Sequence, residues 1–400
     1  MGDKTGISWT DATWSPTKGC AQISPGCRNC YAKHQAARIV RMSKGKPSKY
    51  DGLVKIGPAG DPCWTGEGLF DEEALALPLR WKAPRRIFVD SMSDLFFDAF
   101  TNEQIAAVFG VMAACPQHTF QVLTKRSRRM REWFEWLRSS SEDSFTMQQR
   151  GIAAAPNTAR ALLDAAYEYL GEKWKPELDT AWRRLEDDPW PLPNVWLGVS
   201  VEHQDAADER IPELLRMPAA VRFLSCEPLL GPLDIAPYLY GGRHPTCPRC
   251  LFSTNRLSTT SCPNDSTPLG PDIAIDWAIA GCESGPGARP CDVAWLRSLR
   301  DQCAEADVPF FLKQAVETYL GRCGDSDNPN GDQPCGKRVT AHVISPDTAA
   351  YSCGCTVDGS EDGACVPLGF GDGSRRKSGG VIELPYLYGV QHAAFPETSK

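Results

Sequence analysis

The chain has 400 residues, 42 % of them hydrophobic, with 17 cysteines and a formal net charge of −7. Those values suit a globular protein and exclude a global basic field, so a polyanionic partner needs a local basic patch. No apolar run reaches the roughly 18–20 residues that cross a bilayer, and residues 1–6 lack the basic and apolar regions of a secretory signal. A cytoplasmic location with no membrane partner is therefore expected. There the cysteines act as metal ligands, reactive thiols or small core residues rather than disulfides.

The first motif along the chain is Cys20, Cys27 and Cys30, spaced C-x6-C-x2-C with Pro25 and Gly26 in the loop. Three thiolates on one loop can hold a single metal centre, and two kinds are compatible with the spacing. A [4Fe–4S] cluster on three cysteines keeps one iron open, whereas a structural zinc takes a fourth ligand and closes. His34 stands at the right distance in sequence to be that fourth ligand. Unligated core thiols are the third reading.

Residues 86–91 form an apolar run closing on Asp90 and Ser91, the pattern of a buried parallel strand. Similar runs follow at 119–124, 195–200, 221–225, 277–281 and 309–313, separated by amphipathic helical stretches such as 102–115 and 293–306. The alternation predicts an α/β fold with a parallel sheet and right-handed crossovers. A strand before or within the cysteine segment brings the count to six or seven. That favours a full or partial TIM-like (β/α) barrel, in which chemistry gathers at the carboxyl ends of the strands.

Those ends carry Asp90, Ser91, Ser93 and Asp94; Thr124, Lys125 and Arg126; Ser200 and Glu202; Cys226 and Glu227; Glu283 and Ser284; Lys313 and Gln314. Any one of them alone marks only where a strand meets solvent, but six together predict a convergent polar mouth. Glu227, Glu202, Lys125, Glu283 and Lys313 are the candidate catalytic residues. A carboxylate or lysine there can fix the charged ends of an amino-acid group.

Three segments interrupt the rhythm. Residues 131–193 are helix-rich, and their aromatics, among them Trp133, Trp136, Tyr169 and Trp182, read as packing residues. Residues 240–271 carry His244, Cys247, Cys250 and Cys262 as H-x2-C-x2-C-x11-C, a candidate zinc site completed by His244 or Asp265. Residues 321–400 are rich in Gly, Asp and Cys and read as a loop-rich tail or a second metal-stapled lobe. The expected organisation is one barrel over 1–320 carrying both insertions, followed by the segment 321–400.

Several motifs together resemble the phage three-cysteine-motif family, a radical-SAM-like group. They are residues 7–14 followed by the three cysteines, then 88–96, 123–126, 197–202, 222–229, 281–290 and 309–314, in that order. The resemblance implies a radical-SAM type of barrel. Cys20, Cys27 and Cys30 would hold a [4Fe–4S] cluster whose open iron binds S-adenosyl-L-methionine, which is cleaved reductively to a hydrogen-abstracting 5′-deoxyadenosyl radical. An electron donor such as flavodoxin or ferredoxin would be a partner. Tyr31, following Cys30, falls where such enzymes place an aromatic residue against the adenine, although simple packing accounts for it as well. Asp90, Ser91, Ser93 and Ser200 are the other candidate cofactor contacts. The chain departs from the usual pattern twice: the first cysteine gap is six residues rather than three, and residues 90–94 stand where a Gly-Gly-Glu element is usual.

The same resemblance implies DNA carrying modified thymidine as substrate, in the host-cell cytoplasm. The reaction would isomerise an amino-acid adduct on the base from a nitrogen link to a carbon link. Such an enzyme needs a flipped base and a phosphate-binding patch. Lys125, Arg126, Arg128, Arg129 and Arg131 supply the best basic run, unless it is a solvated helix start. A radical-SAM enzyme acting on a peptide or small metabolite and a non-catalytic zinc-binding module are the alternative readings.

Overall fold

The computed structural model describes residues 5–142, 158–185, 191–239, 274–284 and 287–316, short strand segments between 318 and 391, and residues 395–396. Its principal strands are β1 (Ala12–Trp14), β2 (Arg86–Val89), β3 (Thr119–Thr124), β4 (Val195–Ser200), β5 (Val221–Cys226), β6 (Trp277–Gly281) and β7 (Phe310–Val316). Their order in the sheet is their order in the chain. Two further strands, β8 (Arg375–Lys377) and β9 (Val381–Glu383), extend it past β7 in antiparallel pairings. Parallel registers set Ala12 opposite Ile87, Ile87 opposite Phe120, Val122 opposite Leu197 and Ala278 opposite Phe310.

Strands laid down one after another are the progression of a (β/α) barrel, and a doubly wound sheet would reverse it. The order begins at β1 and ends on a different strand, so the expected barrel takes its partial form. All six expected runs are strands, and β1 is the additional one before the cysteines. β4 and β6 are buried at every position, as parallel strands covered on both faces should be.

The longer helices are α1 (Tyr31–Met42), α2 (Asn102–Ala114), α3 (Ser127–Glu142), α4 (Thr158–Leu170), α5 (Lys175–Leu185), α6 (Gln204–Leu215) and α7 (Val293–Glu305). None among the described residues is long and apolar enough to cross a membrane. The chain divides into two compact units. One comprises 1–200, 208–224 and 240–275; the other comprises 201–207, 225–239 and 276–400.

In the first unit the strands bury Trp14, Ile87 and Phe120 completely, with the Trp9 ring 4.7 Å from Phe88 and Trp14 5.6 Å from Phe120. α2 begins at a reciprocal capping box, in which Thr101 Oγ1 accepts from the Gln104 amide while the Gln104 side chain accepts from the Thr101 amide. It buries every residue from Ile105 to Ala113. The helix-rich insertion is present as α3, α4 and α5. Of its aromatics, Trp133 is fully buried and stacked 4.5 Å from Phe109, and Tyr169 meets Phe70 at 4.8 Å, while Trp136, Trp174 and Trp182 are only half-buried.

The second unit holds β6, β7 and α7. Its Cys226, Cys282, Cys291 and Cys303 are buried core residues. His244, Cys247, Cys250 and Cys262 lie outside the described residues, as do the cysteines of the C-terminal segment.

Gly110 is where α2 meets α4. A Cβ added there would collide with the Leu162 carbonyl and the Ala166 methyl. Gly110→Ala therefore sets a helix-propensity gain of about 1 kcal/mol against overpacking of about 1–3 kcal/mol. The close approach is of helix to backbone, which cannot yield locally, so a net loss in urea or thermal denaturation is expected. An unchanged or raised midpoint would show that the α2–α4 contact is looser than described.

Candidate metal centre and strand-end clusters

The cysteine loop is built onto the carboxyl ends of β2 and β3. After β1 the chain forms a two-residue strand, Thr17–Lys18, paired with Leu69–Phe70, and Gly19 then bridges to Ser93 in the loop leaving β2. Ser93 Oγ donates to the Gly19 carbonyl at 2.6 Å and accepts from Thr17 Oγ1 at 3.1 Å. Cys20 follows at once. Beneath it Lys18 is buried in an ion pair with Asp71, which Lys49 also reaches at 2.6 Å. Burial alone would raise the Asp71 carboxyl, but the two lysines outweigh it and hold the group below its usual range.

Asp94 is the second attachment. Its buried carboxylate accepts from Thr124 Oγ1 at 2.7 Å, the Lys125 amide at 3.1 Å, the Phe96 amide at 3.0 Å and Arg126 Nη1 at 3.3 Å. Arg126 in turn reaches the cysteine loop. Its Nη1 lies 3.7 Å from Cys20 Sγ, and its Nη2 donates to the Ala21 carbonyl at 3.0 Å. The guanidinium also sits 4.9 Å above the Phe97 ring.

Cys27 closes a single 3₁₀ turn, Pro25–Cys27, with its sulfur 3.6 Å from Ser24 Oγ, and Cys30 caps the start of α1. Burial, with Asp94 next, pushes the Cys20 thiol up to about 12, and burial raises Cys30 as well. Cys27 and Cys30 both act electrostatically on Cys20, so the three thiols share one neighbourhood. Among the described residues, however, no three His, Cys, Asp or Glu side chains are gathered tightly enough to form a metal-binding group. Three thiols are nevertheless the donor set of a three-thiolate centre, and His34, the expected fourth ligand of a zinc site, is exposed on α1.

The remaining expected cofactor contacts take varied places. Tyr31 is 55 % exposed, which rules out the packing reading, and its hydroxyl donates to the Ser91 carbonyl. Ser93 is committed to the stitch just described. Ser200 is buried, and its carbonyl accepts from Arg210 at 2.7 Å.

Asp90 ends β2 with φ +57, a left-handed conformation that Asp and Asn tolerate better than most residues. Its Oδ1 accepts from the Thr17 amide at 3.2 Å. Its Oδ2 is buried without a hydrogen-bond partner among the described residues. Burial pushes this carboxyl up to about 8.

The basic run does not form one solvated face. Arg126 is turned inward, Arg128 and Arg131 pair with Glu132 and Glu135 along α3, Arg131 also meets Glu213, and Arg129 donates to Asn102. It is thus largely the start of a helix whose cations bond to protein groups.

The second unit carries its own cluster. Lys313 Nζ lies 3.0 and 3.1 Å from the two Glu227 carboxylate oxygens, both side chains being mostly buried. Gly281 leaves the space that Glu227 occupies, because a Cβ there would strike its carboxylate. Glu283 pairs with Arg289, accepting from both its amide and its Nε at 2.9 Å. Glu202 is fully buried, and its carbonyl accepts from the Leu230 amide. Of the expected catalytic set the structure thus joins Glu227 to Lys313, gives Glu283 a different cation and places Lys125 in the other unit. Arg126 was expected at a strand end and in the basic run, but not against the cysteine loop, and Arg289 was not expected at all. The signal for both was an arginine within a strand-end motif.

The chain belongs to the family described as "Protein of unknown function (DUF5131)", whose model matches residues 4–339. Neither a curated protein nor a solved structure matches it.

Asp90 makes stability depend on pH with a defined sign. Its folded value of about 8 lies above the unfolded value of about 3.9, so the folded state holds the proton longer. Its contribution is full below pH ~4 and is lost as pH rises toward ~8. Asp90→Asn keeps shape and left-handed backbone but cannot ionise. Wild-type denaturation midpoints are expected to fall more steeply than the variant's between pH 5 and 8. Parallel profiles would mean that Asp90 is already ionised at pH 5.

Proposed function

We propose that this protein is a radical-SAM enzyme of the [4Fe–4S] type that isomerises an amino-acid adduct on thymidine in DNA. The observation that carries the reading is a three-thiol loop docked on the carboxyl ends of parallel strands, the face at which barrel chemistry occurs. When bound, the cluster would supply an electron for reductive cleavage of S-adenosyl-L-methionine at its open iron.

The chain's own residues have definable tasks around that chemistry. Cys20, Cys27 and Cys30 would hold the cluster, and Arg126 and Asp94 keep the loop against the ends of β2 and β3. Tyr31 and Ser91, already bonded to each other, would border the nucleoside. The second unit by itself carries two carboxylate–cation pairs, Glu227 with Lys313 and Glu283 with Arg289, whose charge types suit the ends of an amino-acid group. The thymidine substrate is supported by the motif resemblance rather than by the basic run, whose cations bond to protein groups.

Protein purified without oxygen and reconstituted with iron and sulfide is expected to absorb at roughly 400 nm, as thiolate-bound clusters do. Ala at Cys20, Cys27 or Cys30 should abolish that absorbance. With reductant it should release 5′-deoxyadenosine from S-adenosyl-L-methionine, faster with DNA carrying the nitrogen-linked adduct than with unmodified DNA. Glu227→Gln should retain the cluster and lose most of this turnover. Stimulation only by peptides or small metabolites would move the substrate to those classes. Stoichiometric zinc at the three cysteines would overturn the enzymatic reading in favour of a binding module.

A further inference from the structure

We propose that Arg126 is a positioning residue for the metal centre, gripping the first cysteine ligand and withdrawing electron density from its sulfur. The inference rests on the cluster reading of Cys20, Cys27 and Cys30. Arginine usually extends its head into water, yet this side chain is only 6 % exposed and Asp94's only 9 %. Asp94 neutralises the buried charge, but neutralisation does not require the rest of the geometry. The two terminal nitrogens divide between adjacent residues of the cysteine loop, Nη1 toward the Cys20 sulfur at 3.7 Å and Nη2 to the Ala21 carbonyl at 3.0 Å. The Phe97 ring lies along the guanidinium at 4.9 Å and leaves its edge to do the bonding. A planar fork can make this two-point grip; a lysine ammonium cannot reproduce it.

The consequence is electronic as well as steric. A donor bonded to a ligating thiolate stabilises the more negative, reduced state of the centre more than the oxidised one, which raises its reduction potential. Asp94 acts in the opposite direction from nearly the same place. The pair therefore supplies two substitutions with opposite expected signs. If Arg126 served the fold alone, its loss would lower stability and leave the properties of any assembled centre unchanged.

The test uses full-length protein reconstituted anaerobically, with midpoint potential and reduced-state electron paramagnetic resonance compared per assembled centre. Arg126→Gln is expected to shift the potential to more negative values and alter the spectrum. Arg126→Lys should fall between it and wild type, and Asp94→Asn should shift the potential to more positive values. Should the Gln variant fail to fold, the Lys and Asn variants still carry the sign test. Potentials equal to wild type in the variants that assemble the centre would overturn the role of Arg126 while leaving the cluster reading standing. Wild-type protein that assembles no cluster would overturn both.

Discussion

The cysteine loop depends on one buried carboxylate. Asp94 accepts four hydrogen bonds, from its own loop through Phe96 and from the end of β3 through Thr124, Lys125 and Arg126. Without it the loop leaving β2 loses three hydrogen bonds to the end of β3 and the turn into α3, and the Arg126 guanidinium loses its ion-pair partner. Removing one partner of such a buried pair costs about 3–5 kcal/mol, mainly because the other charge is stranded. Through Arg126 the same carboxylate is tied to residues 20 and 21, so the sheet helps to set the position of the first cysteine. The Ser93–Gly19–Thr17 stitch repeats this arrangement one strand earlier.

The two clusters at the strand ends differ in chemistry. In the first unit the charges serve the scaffold: Lys18 with Asp71, and Arg126 with Asp94, are inward pairs that hold a loop carrying thiols. In the second unit Glu227 with Lys313 and Glu283 with Arg289 are less completely enclosed on the cation side, with Lys313 and Arg289 each 25 % exposed.

The strands were legible because each is a short apolar run closed by a polar residue, and a buried parallel strand needs little else. The carboxyl-end placement of Asp90, Asp94 and Glu227 followed from that pattern. The pairings did not. Arg126 reads in sequence as one cation of a basic run, since nothing local distinguishes a guanidinium that turns back to a residue 32 positions earlier from one that faces water. The same holds for Lys18 with Asp71 and for Glu283 with Arg289. Gly281 looks like an ordinary strand-end glycine until the Glu227 carboxylate is seen in the space a side chain would fill. Long-range complementarity of this kind depends on the fold, which periodicity alone cannot supply. The zinc expectation for residues 244–262 falls outside the described residues.

The central claim, that the sheet presents Cys20, Cys27 and Cys30 as three ligands of one iron–sulfur centre, is met most directly by anomalous scattering. Crystals grown without oxygen from reconstituted protein should give a compact group of iron-edge anomalous peaks, with each of the three sulfurs about 2.3 Å, a thiolate–metal bond length, from a different iron. The signal there should not rise across the zinc edge. A single zinc ion at that position, with His34 drawn in as fourth ligand, would contradict the account.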